Sequence, residues 1–266
     1  MIAKFSKSFL ISFKDFYKDE GIYLSAALAF FSILSLIPLS MFIVNILVTF
    51  TQEDTVIRFV YSKMVFLFPN LEIQMIKDIK KLLMLKGINE ISIILYGIFS
   101  LQLFTAIEFS LNKIFKISKR RHFLLSFLLS IFIVFLIIFA VGATFFISYL
   151  IKFFGNNGIF QHSLIIHFFL KYVITFVLIF VVIGLLYKFL PNKKISLGSV
   201  IIGTLITTIL IELAKHLFAF YVSEIIKIST LYGSISTFLA LLMWLFYAWA
   251  VFLYGAELIN NLERKK

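Results

Sequence analysis

Apolar residues fall into six long stretches along this chain, at residues 23–50, 91–111, 123–151, 165–190, 197–221 and 232–258. At about 1.5 Å of rise per residue, some 20 apolar residues cross a hydrocarbon core of roughly 30 Å, so each stretch predicts one spanning helix. Between the first two lies a segment of different character. Residues 54–68 read as an amphipathic helix ended by Pro69; a second starts at Asn70, carries the stripe Ile73, Ile76, Ile79 and Leu83, and closes at Gly87. Residues 1–22 show a similar pattern, with Phe5, Phe9, Phe13 and Phe16 at helical spacing among lysines. Such helices lie in a membrane interface. The expected fold is all-α, a polytopic single membrane domain over residues 1–266 with six transmembrane helices. Residues 1–22 form an interfacial helix in this reading, and residues 51–90 form external amphipathic helices or, in the other arrangement that fits, a re-entrant hairpin.

Lipid offers polar groups no partners, so polar side chains on a spanning helix are expected to face other helices or a water-filled cavity. On the fifth stretch Thr204, Thr208, Glu212 and Lys215 recur at spacings of four, four and three, one continuous stripe. The helical rise puts Glu212 about 4 to 5 Å and Lys215 about 9 Å outward of the middle. Both charges are thus inside the hydrocarbon, where a charge costs roughly 2.5 to 3.5 kcal/mol on insertion scales. The second stretch carries Gln102, Thr105, Glu108 and Asn112, and the sixth carries Tyr247, Tyr254, Glu257 and Asn261. Glu257 comes close to the cytoplasmic boundary, where basic loop residues are expected to pair with it. The first stretch adds Ser25, Ser32, Ser35 and Asn45, small residues at Ala26, Ala27 and Ala29 that allow close helix contact, and Pro38, expected to kink the helix by removing a backbone hydrogen bond.

Composition supports the membrane reading: 62% of the 266 residues are hydrophobic, against roughly 45 to 50% in soluble domains. The net charge of +12 would point to nucleic acid in a soluble protein, but its distribution follows the loops. Lys4, Lys7, Lys14 and Lys18, then Lys113, Lys116, Lys119, Arg120 and Arg121, then Lys188, Lys193 and Lys194, then Arg264, Lys265 and Lys266 all fall on one side of a six-span arrangement. The positive-inside rule makes that side cytoplasmic, with both termini on it. The basic loop KISKRRH at residues 116–122 is then explained by topology and lipid head groups, and no nucleic-acid partner is expected. Cysteine is absent, and the four histidines form no HExxH pattern, so no metal site or other cofactor is expected. Neither a phosphate-binding GxxxxGK[ST] loop nor a GxSxG nucleophile elbow occurs. The chain is not expected to be an enzyme.

Three passages resemble a known family when taken together: LSAALAFFSILSLIPL at residues 24–39, PNKKISLGSVIIGTLITTILIELAKHLFAFYV at residues 191–222, and LYGSISTFLALLMWLFYAWAVFLYGAEL at residues 231–258. They resemble the YihY/BrkB family of bacterial inner-membrane proteins, including its ExxK pair at Glu212 and Lys215 and its Gly-Ala-Glu at Gly255, Ala256 and Glu257. The resemblance implies a six-helix, multi-pass inner-membrane protein with an envelope role. The family has carried the label ribonuclease BN, which the absence of nuclease chemistry here argues against.

Two functions fit. In the first, the chain transports or flips an amphipathic envelope component, a lipid or lipid-linked molecule. Lys215 attracts an anionic head group, Glu212 holds the lysine when the site is empty, and Glu108 offers a proton-linked step. In the second, the chain is a structural scaffold whose charges clamp its own helices or dock a partner. Membrane lipids are the expected partners in either case, and an oligomer is compatible with both.

Overall fold

The computed structural model describes residues 2–50, 88–117, 125, 128–129, 173–228 and 233–264. Among these residues every regular element is helical: α1 (Ile2–Lys18), α2 (Gly21–Phe50), α3 (Ile88–Ile114), α4 (Ile174–Phe189), α5 (Leu197–Ile228) and α6 (Gly233–Arg264). Two stretches, Leu197–Phe220 and Phe238–Arg264, are long and apolar enough to cross a membrane. The amphipathic helices expected over residues 51–90 lie outside the described residues except for the start of α3, as does nearly all of the stretch at 123–151. The backbone of α2 stays helical through Pro38, whose side chain, like that of Asn45, is outside the description.

Contacts divide the chain into two compact units that share four helices. The first unit comprises residues 1–22, 108–214 and 250–266, and the second residues 23–107 and 215–249. In the second unit the buried positions on α2 are Leu24, Ser25, Leu28, Ala29, Ser32, Ile33 and Ser35, spaced three and four apart. Ser32 Oγ donates to the Leu28 carbonyl at 2.7 Å and accepts from Trp249 Nε1 of α6 at 2.9 Å. Ala26 and Ala27 are exposed, so of the three alanines only Ala29 lies in a helix contact.

In the first unit α5 and α6 touch backbone to side chain. A methyl group added at Gly203 would sit 2.2 Å from Ile259 Cγ1, and one at Gly255 would sit 1.9 Å from Thr207 Oγ1. Without a side chain, both positions let the helices approach more closely than any other residue would permit. Tyr187 of α4 fills the space beside this contact, fully buried and stacked on Phe252 with centroids 4.7 Å apart.

Helix ends in this unit are set by backbone chemistry. After α3 the chain turns through Lys116 at φ 56, with Lys116 N–H bonded to the Lys113 carbonyl and Ile117 N–H to the Asn112 carbonyl. That is the Schellman pattern, with a lysine where glycine is the usual occupant. Glu20, between α1 and α2, also adopts a left-handed conformation at φ 62. Pro191 follows α4, where its missing N–H ends the ladder. Ser196 precedes α5 and bonds Glu263 of α6.

Candidate functional site

The threonines of the α5 stripe are sealed inside the α4–α5–α6 contact. Thr204 and Thr208 are both fully buried, and Thr208 Oγ1 donates to the Thr204 carbonyl at 2.8 Å. Between them Thr207, which the spacing argument passed over, meets the Tyr187 hydroxyl at 3.0 Å. The same hydroxyl donates to the Phe252 carbonyl. One turn further along α5 the environment opens: Glu212 is half-buried and Lys215 is exposed, as are Leu213, His216 and Leu217. Both charged residues engage in interactions within the chain.

On α3 the polar residues divide. Gln102 and Thr105 are exposed, and Thr105 Oγ1 bonds its own helix, at the Leu101 carbonyl. Glu108 is buried on the face formed by Phe104, Ile107 and Leu111, and Asn112 accepts a hydrogen bond from the Asn192 N–H at 3.1 Å. Four polar residues at stripe-like spacing therefore face different surroundings, because 3.6 residues per turn rotate a mixed three- and four-residue spacing around the helix.

The end of α6 meets α1. Tyr254 donates to the Phe9 carbonyl at 3.0 Å, and Asn261 donates to Ser12 Oγ at 3.1 Å and Asp15 Oδ2 at 3.0 Å. Asn260, on the preceding position, donates to the Ile114 carbonyl at the close of α3. Tyr247, one face-length earlier, is exposed. Glu257, expected near water beside basic loops, is fully buried. Just past the end of α1, Asp19 pairs with Lys116 at 2.7 Å.

α1 itself departs from its expected use. Among its described side chains it buries Ser8, Ser12 and Phe16, while Phe9, Phe13, Leu10 and Tyr17 are exposed, most of them by half or more. The aromatic stripe is thus divided, with Phe9 and Phe16 against Tyr254 of α6 and Phe13 outward, while Ser8 and Ser12 face in. Ser8, Ser12, Asp15 and Asp19 recur at four, three and four, a signal as regular as the one on α5. It escapes notice because phenylalanine dominates the hydropathy of the segment.

Buried polar stripes on long apolar helices, joined by glycine contacts, define a helical membrane protein. A family model described as Virulence factor BrkB matches residues 12–266, and the chain belongs to that family. A UPF0761 membrane protein of Prosthecochloris aestuarii is 29% identical over 95% of this chain and 60% of its own length. One from Chlorobium phaeobacteroides is 27% identical over 95% of the chain and 57% of its own length, and one from Pseudoalteromonas translucida is 32% identical over 60% of the chain and 53% of its own. The chain thus spans about three-fifths of the length of the first two relatives. No solved structure matches it.

Proposed function

We propose that the chain is a six-span protein of the bacterial inner membrane, with both termini cytoplasmic, and that it moves an amphipathic anionic envelope component, a lipid or lipid-linked molecule, without catalysing a covalent reaction. The observation that carries this reading is the exposure of Lys215 in a stretch apolar enough to span. A charge retained for helix packing alone would sit with Thr204 and Thr208 inside the sealed contact. An exposed ammonium at membrane depth suits an anionic head group, and half-buried Glu212, three residues before it on the same helix, is placed to hold the lysine between cargoes.

The six-span topology draws support from the first unit, where all four basic segments assigned to one side meet. α1, the end of α3, the loop after α4 and the end of α6 are joined by Asn112–Asn192, Asp15–Asn261, Lys116–Asp19 and Ser196–Glu263. In this placement the exposed Leu10, Phe13 and Tyr17 of α1 lie against the inner leaflet, with Lys14 and Lys18 at head-group level.

The sealed contact at Thr204 and Thr208 favours a second reading, a static scaffold. Exchanging Glu212 and Lys215 together for leucine separates the two, because an ion pair replaced by apolar residues is often tolerated by the fold. Transport predicts a folded double variant that fails both to complement a deletion strain and to move a fluorescent anionic lipid in vesicles. Retained activity would remove Glu212 and Lys215 from the mechanism and leave the scaffold.

A further inference from the structure

Helix α1 concentrates its positive charge on one edge. Lys4, Lys7, Lys14 and Lys18 follow one another at spacings of three, seven and four. At about 100° per residue these four register positions fall within about 80° of arc. The adjoining sector holds Leu10, Phe13 and Tyr17, all exposed, with Lys14 and Lys18 exposed beside them. Ser8, Ser12 and Phe16 take the opposite side and are buried. An apolar sector bordered by a cationic one suits a helix lying in a membrane interface.

The acids of the same segment do not neutralise that edge. Asp15 accepts from Asn261, Asp19 pairs with Lys116 and Glu20 pairs with Lys113, so each is engaged by a group from α6 or from the close of α3. Neither ion pair among the described residues uses Lys14 or Lys18. Both ammonium groups keep their charge for a partner outside the chain. The position of α1 selects that partner: it docks through Tyr254 and Asn261 on α6, whose Phe238–Arg264 stretch is apolar enough to span. A soluble polyanion such as RNA would satisfy the lysines but leave Leu10, Phe13 and Tyr17 in water. An anionic leaflet satisfies both sectors at once.

We propose that α1 is a docking surface for anionic phospholipid. Its lysine row binds the head-group phosphates of several lipids while Leu10, Phe13 and Tyr17 enter the acyl boundary, so the protein gathers anionic lipid around the end of α6. This docking rests on the inner-leaflet placement of α1 and needs no cargo at Lys215. Each lysine held near an anionic surface strengthens association by about fivefold, and salt screens the attraction.

Because the chain has no cysteine, Leu10→Cys, at the most exposed of the described apolar positions of α1, accepts a single bimane fluorophore in the full-length protein. In bilayers of mixed phosphatidylglycerol and phosphatidylcholine, bromine on the acyl chains of one lipid or the other quenches the label when that lipid lies against α1. The two quenching curves give the relative affinity of the two lipids. Phosphatidylglycerol is expected to be preferred at least about fivefold, and the preference should fall towards one in the Lys14→Gln, Lys18→Gln double variant. Added salt should lower it in the parent protein, which carries the test if the variant does not fold. Leucine at both Glu212 and Lys215 should leave the preference unchanged; its loss there would assign the selectivity to Lys215 and overturn the docking. Equal quenching by the two lipids, or a preference that survives the lysine substitutions or ignores salt, overturns the docking while leaving α1 in the leaflet. Quenching by neither lipid removes α1 from the bilayer, which overturns its placement as well and gives the lysine row to a soluble polyanion.

Discussion

Alanine at Gly255 should disrupt the centre of the first unit, and the structure sets the size of the effect. The added methyl would fall 1.9 Å from Thr207 Oγ1, 2.4 Å from the Tyr187 hydroxyl and 3.1 Å from Thr207 Cβ. None of these atoms has room to yield. The Tyr187 hydroxyl is bonded to both Thr207 and the Phe252 carbonyl, and its ring is stacked on Phe252. Inserting a methyl into a packed core costs about 1 to 3 kcal/mol, and leaving a buried hydroxyl unpaired adds about 1 to 3 kcal/mol. Together these come to a loss of about 2 to 6 kcal/mol, reduced by about 1 kcal/mol through the better helix propensity of alanine. Gly184 provides the control: its added methyl would be 3.6 Å from Thr204, an ordinary contact. Gly184→Ala is therefore expected to be neutral or mildly stabilising. Gly203→Ala should fall between them, because the obstructing atoms belong to one isoleucine side chain, Ile259. Reversible unfolding in mixed detergent micelles measures all three variants. The reasoning fails if Gly255→Ala matches the parent in stability, or if Gly184→Ala is as damaged as Gly255→Ala.

The two ion pairs near α1 should respond unequally. Lys113 and Glu20 both keep substantial solvent exposure, so Lys113→Ala should cost less than about 1 kcal/mol. Asp19 is far more enclosed, and Lys116→Ala should cost more by leaving that carboxylate without its cation; equal effects in a side-by-side chemical unfolding experiment would contradict the burial difference. In the second unit, Trp249→Phe removes the donor to Ser32 and should cost about 1 kcal/mol. A double-mutant cycle with Ser32→Ala checks this, and a coupling near zero would show that the bond contributes nothing.

Helix by helix, the sequence is legible where one face carries all the information. Ser25, Ser32 and Ser35 stand at inward positions, and the structure buries all three. Thr204 and Thr208 are likewise buried. The polar spacing on α5 does not distinguish a sealed contact from an open surface, so it cannot show that the environment changes between Thr208 and Lys215. That change is a tertiary property, seen as full burial at Thr208 giving way to exposure at Lys215. Tyr187 was invisible for a related reason: a single tyrosine in an apolar helix signals nothing until its hydroxyl finds Thr207 and a carbonyl from α6. Glu257 misleads because a position near the end of a span does not by itself give access to water, and the residue is fully buried. The missing information was α1, which packs on the end of α6 through Ser12 and Asp15 from more than two hundred residues away in the chain.

That separation also dictates an order of assembly. The Phe9 carbonyl bonds Tyr254, and Ser12 and Asp15 bond Asn261, across 245, 249 and 246 residues of chain. A ribosome completes α1 long before α6, and contacts of such long range close only when both partners exist. Throughout synthesis the serine and aspartate face of α1 has no surface to bind. Its exposed residues Leu10, Phe13 and Tyr17 make no demand on α6. The inward face of α1 must therefore wait for α6, and its docking there is a late step of folding.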